Sequence, residues 1–144
     1  MKIFIPLAIS ILLASILFCP MGRAAPPIPD YVQIVSPDPS LPKELSAFFG
    51  KYEGISAPFT YFVIVAKIDE EKATLYIFRE GQGYTPLSGW ETVEAEVFKE
   101  RGKYQLWYRT RFAYLGTGSI VVTLQGKYLE LRAPDGLVRL TRVP

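Results

Sequence analysis

Glu94 and Glu96 stand two apart in 90-WETVEAEVFK-99. Strand spacing puts their carboxylates about 7 Å apart on one face. Two carboxyl groups at such a distance can divide the acid and base roles of glycoside chemistry. Outward positions of an alternating strand are ordinarily just hydrated, so a wet face is the favoured reading. A second set lies in 104-YQLWYRTRFAY-114, where aromatic residues interleave with Arg109 and Arg111. Three readings fit: an arginine clamp for a carboxylate, a stacking face for nucleic acid, and a plain strand pair with solvated arginines. The last is favoured. The glycines of 79-REGQGY-84 and 115-LGTGS-119 are spaced as in phosphate loops. Neither has the lysine or the following helix that phosphate binding requires, so both read as turns. The span 79–89 is long enough to act as a lid.

The chain has no histidine and one cysteine, Cys19. Ser–His–Asp and Cys–His catalysis are excluded, as are zinc sites built from His or Cys. No catalytic residue, metal or cofactor is assigned.

The elements that must position these residues begin after a leader. Lys2 precedes 3-IFIPLAISILLASILF-18, an uncharged apolar run, and small residues follow at 21-MGRAA-25. This is the layout of a secretory signal peptide, residues 1–24, with a cut between Ala24 and Ala25. The run is short for a membrane span and contains Pro6. Lipidation of Cys19 would want a small residue before it, where Phe18 stands. Sixteen basic residues face 14 acidic ones. Lys2 and Arg23 leave with the leader, so the mature chain balances at 14 of each, with no net attraction to nucleic acid or an anionic membrane. Export without a retained cysteine points to the periplasm or the medium.

Residues 25–42 carry six prolines, Pro26, Pro27, Pro29, Pro37, Pro39 and Pro42. Such a segment makes neither helix nor central strand, and reads as an extended arm. Tyr31, Val32, Ile34 and Val35 are its candidates for docking on the domain. In 40-SLPKELSAFFG-50, Ser40 can cap a helical turn, Pro42 suits its start, and Gly50 suits a left-handed exit. From Gly50 on, every signal is a strand signal. Thr60 to Ile68 alternates, with Phe62, Ile64, Ala66 and Ile68 on one face. Val93, Ala95 and Val97 oppose Glu94 and Glu96. Tight turns are expected at 69-DEEK-72, Arg101-Gly102, Gln125-Gly126 and Asp135-Gly136. The expectation is an all-β domain over 43–144: an antiparallel up-and-down meander of about eight strands closing into a barrel.

The run 45-LSAFFGKYEGI-55, followed by 62-FVIVAKID-69 and 73-ATLYIF-78, resembles the opening of small lipocalin-like (calycin) barrels of exported bacterial proteins. The resemblance is best over 45–100. It implies that the aromatic after the first glycine covers the closed end of the barrel, with a basic residue of the last strand packed on it. Tyr52 stands where the family has Trp. Arg139 or Arg142 would be the basic partner, and Phe48 and Gly50 would complete the floor. The resemblance also implies a cavity for an apolar small molecule.

Two functions follow. The first is a carrier holding a hydrophobic or amphipathic molecule, with Phe62, Tyr76, Trp90, Trp107 and Tyr108 for apolar contact and Arg109 for a polar head. The second is a filled barrel whose outer face or arm binds an envelope protein. Gly54 is expected to permit a bend or a close backbone approach.

Overall fold

The computed structural model describes residues 25–81, 88–110, 118–134 and 136–144. A single helical turn, α1 (Lys43–Ser46), precedes eight strands: β1 (Gly50–Ser56), β2 (Phe59–Ile68), β3 (Lys72–Gly81), β4 (Ser88–Glu100), β5 (Lys103–Arg109), β6 (Ser119–Gln125), β7 (Tyr128–Ala133) and β8 (Gly136–Val143). Each strand pairs antiparallel with the next, and β8 pairs with β1, so the sheet is a closed barrel. The expected eight-stranded meander is therefore what the chain forms. The expected leader 1–24 with Cys19, residues 82–87 of the expected lid 79–89, and Arg111, Phe112 and Tyr114 lie outside the described residues.

The turns follow local chemistry. Arg101 and Gly102 both adopt positive φ, 49° and 81°, as a two-residue hairpin loop with the right twist demands. Asp69 Oδ1 accepts the backbone N–H of Glu71 at 2.9 Å and of Lys72 at 2.8 Å, which closes the β2–β3 turn. At the last hairpin Gly136 already pairs with Ala133 as the first residue of β8, so it is not the turn residue that the expected Asp135-Gly136 pair makes it; Asp135 lies outside the described residues. Ser40 does not cap α1. Its hydroxyl bonds Asp38 Oδ1 at 2.7 Å, and Pro42, adjacent to the first helical residue, holds the cap position.

Period-two alternation directs Val63, Val65, Leu75, Ile77, Val93, Ala95, Leu106, Ile120, Val122, Leu129 and Leu140 into one continuous core. In β2 the alternation breaks. Val65 pairs with Leu75 and Lys67 with Thr74, so Ala66 is an unpaired bulge residue. The bulge reverses the phase. Phe62, Ile64 and Ala66 face outward, while Ile68 turns into the barrel. The expectation that all four share a face is corrected at Ile68.

The outward residues of β2 and β3 are covered by the proline-rich arm. Phe62, Ile64, Ala66 and Tyr76 form a second cluster with Val32 of the arm and with Phe78, Trp90 and Val143. The Val35 N–H bonds the carbonyl of Ala66, the bulge residue, at 2.7 Å. The Tyr31 ring meets the Tyr76 ring at 6.2 Å. Buried on both sides, β2 reads as an almost unbroken apolar run.

Candidate functional site

The barrel is closed at the end where α1 sits. Tyr52 is fully buried there, and its hydroxyl donates to the Phe48 carbonyl at 2.9 Å. The basic partner is Arg142. Its guanidinium carbon lies 5.0 Å from the centre of the Tyr52 ring. Nη2 reaches the Tyr52 hydroxyl at 2.6 Å and also the Ala47 carbonyl, and Nη1 reaches the Phe49 carbonyl at 3.0 Å. Burial pushes the Tyr52 phenol above its ordinary pKa, and the charge of Arg142 pulls against that rise. Gly50, at φ +142°, leaves room for the guanidinium: a Cβ there would lie 2.9 Å from Arg142 Nη1. Arg139 takes no part in the floor. It alternates outward, bonds Glu130 Oε1 through Nη2 at 2.6 Å and stacks over Tyr128 at 5.5 Å. Val138 and Leu140 point into the barrel, which puts Arg142 and not Arg139 in their phase.

Toward the opposite end the interior changes character. Leu75 and Ile77 point inward, and the same phase carries Arg79 into the barrel, where it is buried. Glu91 shares the inward phase of Val93 and Ala95. Arg79 Nη2 lies 3.4 Å from Glu91 Oε2, with the two side chains 8% and 15% exposed. Tyr61 is paired in register with Arg79 and is buried in edge contact with Phe59 at 6.2 Å. Tyr108, one residue from the end of β5, is buried beside them. Burial drives its phenol far above the ordinary value; the Glu91 carboxylate and Tyr61 push the same way, and Arg79 opposes them. Arg79, Glu91, Tyr61 and Tyr108 thus form a polar group inside a barrel whose other described interior residues are mostly apolar.

Of the six residues expected to line one ligand pocket, Trp107, Tyr108 and Arg109 line one cleft and Phe62, Tyr76 and Trp90 lie elsewhere. Tyr108 is interior and belongs to the polar group just described. Phe62, Tyr76 and Trp90 are on the outer wall beneath the arm, where Trp90 meets Phe62 at 6.0 Å and Phe78 at 5.4 Å. Trp107 and Arg109 alternate with the inward Leu106 and Tyr108 and so face outward; the Arg109 guanidinium carbon is 5.6 Å from the Trp107 ring centre. Aromatic content alone does not tell the two faces of a barrel wall apart. Arg79 and Glu91 were passed over, although both carry a signal: each is a charge in phase with neighbouring apolar residues.

Among the described residues no helix is long and apolar enough to cross a membrane. No family model, characterised protein or solved structure matches the chain.

Proposed function

We propose that the protein is an exported, lipocalin-like binding protein that holds a small amphipathic molecule, its polar end toward Arg79, Glu91 and Tyr108. One observation carries this reading: a charged pair is buried inside a barrel that apolar side chains would fill. Removing two ions from water costs several kcal/mol per ion before their attraction returns any of it. A buried titratable group displaced from its ordinary pKa, as burial displaces Tyr108, is a candidate for a functional site. The 3.4 Å spacing is longer than the about 2.8 Å of a tight charge-assisted bond.

The test is native mass spectrometry of the protein purified from its own envelope, followed by solvent extraction. Wild type is expected to carry a reproducible added mass that is recovered in the extract. The double variant Arg79→Met/Glu91→Leu keeps the volume without the charges, and such exchanges are often neutral or stabilising. It is expected to stay folded and to bind the extracted molecule at least about tenfold more weakly, a difference of about 1.4 kcal/mol. A bare wild-type mass, or equal binding by the double variant, would defeat the reading. Either result would favour an envelope-protein contact instead, for which the exposed Ile28, Tyr31, Ile34 and Val35 on the arm supply the apolar surface.

A further inference from the structure

A separate set of side chains meets on the outside of β4, β5 and β6. Val93 and Ala95, Leu106 and Tyr108, and Ile120 and Val122 all point inward. Glu94, Glu96, Trp107, Arg109 and Ser119 therefore share the outer face. The register gathers them: Glu96 is opposite Trp107, and Arg109 is opposite Ser119. Together with the inward-phase Tyr108 and Thr110, and with Gly118 and Pro134, they line a cleft of about 900 Å³. That volume lies within the range of small-molecule sites.

Each side chain has a definite state. Trp107 is half-buried, and Arg109, Glu94 and Glu96 are exposed. The cation–π contact of Arg109 holds a fan of N–H donors beside the indole. Glu94 Oε1 accepts the Thr74 hydroxyl at 2.8 Å, which fixes one carboxylate and leaves its remaining lone pairs as acceptors. The cleft thus offers an aromatic platform rimmed by two carboxylates and one guanidinium, with the exposed hydroxyl of Ser119.

We propose that this cleft is a binding site for a neutral oligosaccharide. A sugar ring has an apolar C–H face and a rim of hydroxyls that both donate and accept. The face matches the indole, the carboxylates accept from hydroxyls, and the guanidinium donates to them. The charge count sets the class. Among the described residues that line the cleft, two carboxylates stand against one guanidinium, a balance that disfavours phosphates and acidic sugars as occupants. A tryptophan present only to fill the core would share the phase of Leu106 and Tyr108, and Trp107 has the opposite one. Tyr108 borders both this cleft and the interior group, whereas Arg79 and Glu91 are not among the residues that line the cleft.

The experiment is isothermal titration of the mature protein with chitotriose, cellotriose and maltotriose, with trigalacturonate as the anionic control. At least one neutral trisaccharide is expected to saturate in the micromolar to millimolar range, and trigalacturonate is not. Trp107→Ala should weaken binding at least tenfold and Glu94→Gln several-fold. Trp90→Phe, under the arm, should leave it unchanged, and so should Arg79→Met/Glu91→Leu. If Trp107→Ala fails to fold, Arg109→Ala and Glu94→Gln/Glu96→Gln alter only exposed side chains and should weaken binding in its place. The proposal is overturned if no neutral trisaccharide saturates, if trigalacturonate binds best, or if the folded variants of the cleft bind as wild type does.

Discussion

A Cβ built on Gly54 would lie 2.6 Å from the Arg139 carbonyl oxygen and 2.8 Å from a Leu140 methyl. The carbonyl belongs to the strand that closes the barrel, so relief requires β8 to move away from β1. Gly54→Ala is expected to cost about 1–3 kcal/mol, as overpacking of a tight site does. Gly136→Ala meets nothing within 4 Å and should stay within about 0.5 kcal/mol of wild type. Urea unfolding of the two variants side by side checks the difference. Gly54 was readable as a close approach because a lone glycine in a strand has few other uses. The choice between Arg139 and Arg142 needed the phase of Val138 and Leu140. The exposed Leu137 blurs that phase, since it is an apolar residue on the outward side.

At the scale of the elements, the β2–β3 turn is held by one carboxylate. The N–H groups of Glu71 and Lys72 lower the Asp69 pKa below 3.8. A lowered folded-state value means that the contribution is fully present above the ordinary carboxylate range and is lost as pH falls through the lowered value. Asp69 is exposed and its interactions are screened by water, so Asp69→Ala should cost only about 0.5 kcal/mol at neutral pH. The gap to wild type should close in strong acid, and thermal melts of both proteins across the acid range would show it. The existence, order and hairpin pairing of the strands were legible because glycine turns and period-two runs are local signals. The bulge at Ala66 was not. It inserts a residue without a glycine or proline to mark it, and it reversed the face assigned to Ile68. The two-sided burial of β2 was legible in principle from 61-YFVIVA-66, six apolar residues in a row.

At the scale of the whole molecule, the arm and the barrel wall share a cluster that neither completes alone. A chain beginning at Pro37 would uncover Phe62, Ile64 and Tyr76. It should lose roughly 3 kcal/mol, the transfer cost of re-exposing one or two large apolar side chains. It should also bind an apolar fluorescent dye that the chain beginning at Ala25 ignores. Equal denaturation midpoints and no dye binding would make the arm a passive tether. The candidate interior site was the least legible part. It depends on which face of each strand looks inward and on which strands meet across the barrel, and both are properties of closure.

Closure also has a timetable. Lys51 pairs with Val143, and Arg142 hydrogen-bonds a carbonyl 93 positions earlier. The seam and the floor therefore share one late-arriving contributor, and neither exists until residues 136–143 have been synthesised. A growing chain can form the hairpins from β1 to β7 but cannot shut the barrel around a core. Contacts of such sequence separation make for slow folding. The nascent protein thus stays open until β8 has been made, with the inward faces of β1 to β7 still uncovered.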